Sequence, residues 1–118
     1  MEKKAIRFKA NTKQIFYLYI SIMNPFLKLS KRESQVLSEL LSYNYDYKSY
    51  SESAKWKLVF HKDTKDKIQE SLGISVHQFN NILSSLRKKK LIVDNRIKAS
   101  LLIYPEKGLN VEFNIQNG

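Results

Sequence analysis

Apolar residues recur along the chain with two periods, and the switches between them predict its elements. Alternation over residues 5–9, with Ile6 and Phe8 between Arg7 and Lys9, predicts a short strand. Asn11 or Thr12 then caps a helix expected to run to about Met23 and to stop at Asn24-Pro25. Its residues Ile15, Phe16, Leu18, Tyr19, Ile20, Ile22 and Met23 cover more than one face. A helix so apolar is either buried between elements or shared with a second subunit. Ser30-Lys31-Arg32-Glu33 has the form of a capping box, in which Ser and Glu satisfy each other's orphan amides. Val36, Leu37, Leu40 and Leu41 then form one helical face through about Ser42. A polar connection follows, in which Tyr43, Tyr45, Tyr47 and Tyr50 are expected to fold over the core. Trp56, Leu58 and Phe60 alternate with Lys57 and Val59, a strand pattern.

From Asp63 the local signals agree with one another. Asp63 is expected to cap a short helix, with Asp66 favouring its positive end. Ile68 and Leu72 share a side, Gly73 ends the helix and Ile74 bridges. Ser75 caps the next helix, with Gln78 completing a second capping box. Phe79, Ile82, Leu83 and Leu86 are its core stripe, and Arg87-Lys88-Lys89-Lys90 its basic end before Leu91-Ile92. Near the C-terminus, Leu101 to Tyr104 and the alternating Val111, Phe113 and Ile115 flank Pro105-Glu106-Lys107-Gly108, which has turn chemistry. The pair reads as a hairpin, with a tighter hairpin at Asp94-Asn95 as the other placement. The expected class is mainly α with a small β-hairpin. Residues 1–29 form a strand–helix extension packed on the domain of residues 30–118.

Composition narrows the chemistry. At 118 residues the chain fits one domain. It has no cysteine, which removes disulfide scaffolds, thiolate metal sites and cysteine nucleophiles. Its two histidines have no ligand spacing, and there is no glycine-rich phosphate loop or paired acidic motif. One of seven tyrosines as a nicking nucleophile lacks the His-x-His metal motif that such chemistry uses. The expectation is therefore no enzyme, no metal, no cofactor and no small-molecule ligand. The early stretch from Ile15 to Met23 is too short to span a bilayer, and the start has no secretory pattern. A soluble, cytoplasmic protein without a membrane partner is expected. Against 11 Asp and Glu stand 21 Lys and Arg, a net charge of +10 that attracts polyanions.

Two helices about three residues apart around a glycine, the second amphipathic with a basic end, match the geometry that inserts a helix into the DNA major groove. Leu72-Gly73-Ile74-Ser75, then Gln78-Phe79-Asn80-Asn81-Ile82, then Leu86-Arg87-Lys88-Lys89-Lys90-Leu91-Ile92, resembles the winged helix-turn-helix family of bacterial and phage DNA-binding domains. The likeness covers roughly residues 29–115 and departs at Lys90, where that family usually has glycine. It implies that the hairpin is a wing and that base contacts come from the first two turns of the second helix. Those positions here are His77, Gln78, Asn80 and Asn81. Asn and Gln pair bidentately with adenine. Ser75, Ser84 and Thr64 suit phosphate, as do Arg87, Lys88, Lys89 and Lys90. Arg96, Lys98 or Lys107 would reach the minor groove or flanking phosphates. The expected partner is double-stranded DNA, for transcription regulation or DNA replication in a bacterial or phage setting, with a possible homodimer through the N-terminal helix. The alternative is a winged helix that docks on protein, as a subunit of a larger assembly.

Overall fold

The computed structural model describes residues 12–102. Among the described residues five helices precede the strands: α1 Thr12–Leu27, α2 Lys31–Asp46, α3 Glu52–Val59, α4 Lys62–Leu72 and α5 Val76–Lys88. An antiparallel hairpin of β1 Ile92–Val93 and β2 Arg96–Ile97 follows, then a 3-10 turn over Ala99–Leu101. The chain is therefore mainly helical with a small two-stranded hairpin. The expected strand at residues 5–9 and most of the 101–115 hairpin, Lys107 included, lie outside the described residues.

The centre of the fold is α2, which touches α1, α3, α4 and α5. Val36, Leu37, Leu40 and Leu41 are fully buried on it, as the helical period requires. Its capping box forms as the sequence predicts: the Glu33 amide donates to Ser30 Oγ at 3.1 Å and the Ser30 amide to Glu33 Oε1 at 2.8 Å. The helix continues one turn past Ser42, so Tyr43 and Tyr45 are helical and not part of a loop. Tyr43, Tyr45 and Tyr47 still cover the core, and Tyr43 stacks on Tyr47 at 6.3 Å between centroids.

Three expectations need correction. First, α1 does not stop at Asn24-Pro25 but runs to Leu27. Pro25 lies in the last turn, where it removes a single helical bond, and the Asn24 side chain anchors the chain beyond the helix by accepting from the Leu29 amide at 2.7 Å. Lys28, at φ 55, closes the end. Second, Trp56 to Phe60 is not a strand. Buried Lys55, Trp56, Val59 and Phe60 recur at three- and four-residue spacing, Ser51 caps the helix by accepting from the Ala54 amide, and Trp56 Nε1 donates to Glu52 one turn back. The alternation with Lys57 is one of residue type alone, since Val59 is fully buried and Leu58 only partly so. Third, the hairpin that forms among the described residues is the tighter one. Asp94 and Asn95 both have φ 54, the positive values that a type I′ turn demands. Leu101 belongs to the 3-10 turn and is buried, so no strand begins there.

Candidate nucleic-acid interface

The pair α4 and α5 is set by two matching helix ends. At the end of α4 the Ile74 amide donates to Gln69 O and the Gly73 amide to Glu70 O, with Gly73 at φ 67. This double bond pattern needs a left-handed residue at its corner, which glycine adopts without strain. At the end of α5 the same pattern recurs: Leu91 N to Leu86 O and Lys90 N to Arg87 O. Here the corner residue is Lys90, at φ 65. The departure noted in the sequence thus falls on a position where a side chain is strained, and the chain turns into β1 regardless. Leu86, Leu91 and Ile92 are buried beneath the turn and hold it.

The second capping box fixes the start of α5. The Gln78 amide donates to Ser75 Oγ at 3.1 Å and the Ser75 amide to Gln78 Oε1 at 3.0 Å. Phe79, Leu83 and Leu86 are buried and Ile82 partly so, which leaves His77, Asn80, Asn81, Ser84 and Lys88 as one exposed stripe opposite. Arg87 and Lys90 extend it with positive charge, and Arg96 and Lys98 are exposed on and just after the hairpin. The short polar side chains and the cations therefore occupy successive turns of one face.

Several candidate contacts are engaged elsewhere. Thr64 is buried and donates to Leu58 O at 2.7 Å, so it joins α3 to α4 and does not face outward. The cap of α4 is His61, whose Nδ1 accepts from the Asp63 amide at 3.1 Å. Asp63, expected as the cap, is instead a first-turn residue. Ser75 and Gln78 are exposed but bonded to each other, which limits Gln78 as a base reader. Ser85, partly buried beside the exposed stripe, donates to Glu33. Lys89 donates to Glu33 Oε1 at 2.8 Å and to Lys28 O at 2.9 Å.

Glu33 is the residue that the sequence reading undervalued. Besides closing its capping box it receives Ser85 and Lys89, joining the start of α2 to the end of α5. Burial pushes its carboxyl up, but the hydrogen bonds from Lys89, Ser85 and the Ser30 amide outweigh that and hold it at about 2. Arg32 completes the brace by donating to Leu72 O at 3.1 Å, across the turn before α5. Val76 was also missed. It is an exposed apolar residue at the first position of α5, on the same side as Asn80, where contact with a thymine methyl is chemically apt. A cleft of about 550 Å³ between the hairpin tip and the α3–α4 junction is lined by Trp56, Lys57, Phe60, Lys62, Asp94 and Arg96, where Lys62 is paired with Asp66 at 2.7 Å.

Among the described residues no group of His, Asp and Glu is arranged to hold a metal ion, and no helix is long and apolar enough to cross a membrane. Comparison with protein-family models, with curated proteins and with solved structures finds no match to this chain.

Proposed function

We propose that the chain is a winged helix-turn-helix protein that binds duplex DNA, with α5 in the major groove and the β1–β2 hairpin as its wing. The observation that carries this reading is the outer face of α5. His77, Asn80, Asn81 and Ser84 are exposed along it, and Arg87, Lys88 and Lys90 continue it. The edges of bases in the groove call for short polar side chains on a rigid helix, and the phosphates to either side call for cations. Both are present in that order. The helix is rigid for reasons already given: a capping box at one end, a buried stripe beneath, and the Glu33–Lys89 brace at the other end.

Within this reading His77, Asn80, Asn81 and Val76 face bases, with adenine and thymine the natural targets of Asn and Val. Arg87, Lys88 and Lys90 neutralise phosphates, joined by Arg96 and Lys98 from the hairpin side. Lys89 acts through position, by holding α5 against α2. Whether the consequence is regulation of transcription or a step in DNA replication turns on the site that is bound. Selection of bound sequences from a random duplex pool tests the reading. Enrichment of a defined motif supports it, and recovery of an unchanged pool rejects sequence-specific binding.

A further inference from the structure

The outer side of α1 carries a ridge and a groove on the same helix. Leu18, Ile22 and Phe26 follow one another at four-residue spacing and are 52%, 50% and 80% exposed. Next to the first of them lies a cavity of about 550 Å³ between α1 and α2, with Tyr17 and Leu18 on one wall and Leu72 of α4 at its end. Between Lys13 and Lys28 the helix has no charged side chain, in a chain whose net charge is +10. Along this stretch of α1 a second copy meets no like charge, and in the groove beside it Lys13 is paired with Glu39 at 3.2 Å. Tyr17, Leu18, Ile22 and Phe26 together leave on the order of 400 Å² of apolar surface in water, within the range of the largest patch on a monomer, which is often functional. The walls of the groove extend this face beyond Leu18.

We propose that two copies of the chain pair through this face, with their α1 helices antiparallel about a two-fold axis at Ile22. In an antiparallel helix pair, positions equally far from the axis in opposite directions face each other. Ile22 then meets its own copy, and Phe26 of one protomer meets Leu18 of the other, with its ring in the groove. Phe26 and Leu18 are about 12 Å apart along the helix at 1.5 Å per residue. Both ring-in-groove contacts thus form at once, as a closed two-fold interface requires. Lys28 and Lys31 are exposed at the rim, so salt screens their repulsion and strengthens the pairing. DNA binding has the opposite salt dependence, so this inference and the DNA reading fail separately.

Sedimentation of the full chain without DNA, at tens of micromolar and moderate salt, tests it. The wild type should sediment at twice the chain mass. Phe26→Glu and Leu18→Lys, both at exposed positions, should each sediment at the single-chain mass with unchanged helical circular dichroism. Mixing the two variants should restore the doubled mass, because one contact becomes Lys against Glu and the other stays Phe against Leu. Tyr50→Glu, an exposed aromatic change in the α2–α3 connection, should leave the dimer intact. A monomeric wild type overturns the proposal and leaves the face to another segment of the chain or another protein. A dimer indifferent to both substitutions overturns it, and so does a mixture that stays monomeric.

Discussion

Two residues show how local chemistry sets the stability of the candidate interface. Lys90 sits at φ 65, where a side chain costs about 1–2 kcal/mol relative to the right-handed region. Replacing it with glycine removes that strain but gives the unfolded chain more freedom, an opposing effect of about 0.4–1 kcal/mol. Lys90→Gly is therefore expected to stabilise by roughly 0.5 kcal/mol, read as a rise of a few degrees in Tm. The same variant should lose some DNA affinity at all sites, because a cation is gone. Glu33 gives a pH signature. Its carboxyl is held at about 2, below its ordinary value of 4.5, so the stabilisation is complete above about 4.5 and is lost as pH falls toward 2. That shift corresponds to on the order of 3 kcal/mol at neutral pH. Urea denaturation at pH 6 and pH 3 should show a smaller loss on acidification in Glu33→Gln than in wild type. Equal losses would mean that Glu33 does not carry the acid sensitivity.

At the scale of elements, the parts legible in the sequence are those set by contacts three or four residues apart. Both capping boxes, the glycine corner at Gly73 and the buried stripe of α5 are of this kind. Helix α3 was misread because Trp56, Leu58 and Phe60 fit a two-residue period, whereas the buried set of Lys55, Trp56, Val59 and Phe60 fits a helix. The end of α1 was misread because Pro25 removes only one bond in a last turn, which the helix tolerates. The Glu33–Lys89 tie was invisible because its partners are 56 residues apart in the chain, and no local pattern encodes such a pair. These corrections alter which substitutions separate readout from charge. Gln78 and Lys89 are engaged in structural bonds, so Asn81→Ala and Lys88→Ala are the cleaner pair. Asn81→Ala should narrow the affinity gap between the best site and a mismatched one, by about 1–3 kcal/mol for a lost bidentate contact. Lys88→Ala should weaken all sites alike and lower the salt slope by about one. Competition binding with matched and mismatched duplexes separates the two, and identical behaviour would remove α5 from the groove. Ser75→Ala should destabilise the fold by about 1 kcal/mol through loss of the cap, seen in chemical denaturation.

At the scale of the whole molecule, two surfaces of opposite character emerge on one small helical body. The α5 and hairpin side collects exposed cations around short polar side chains, and the α1 side is free of charge over fourteen consecutive residues from Gln14 to Leu27. The hub α2 touches both α1 and α5, so pairing two chains through α1 would fix the distance between two reading helices. A protein built so is expected to prefer sites with two half-sites related by symmetry. The measurement that bears most directly on the central claim is the affinity of the full chain for a pooled duplex, followed by fluorescence anisotropy as salt is raised. With about four or five phosphates neutralised by α5 and the hairpin, log affinity should fall linearly with log salt at a slope of roughly −4. An absence of binding at low salt, or an affinity that salt leaves unchanged, would contradict the account.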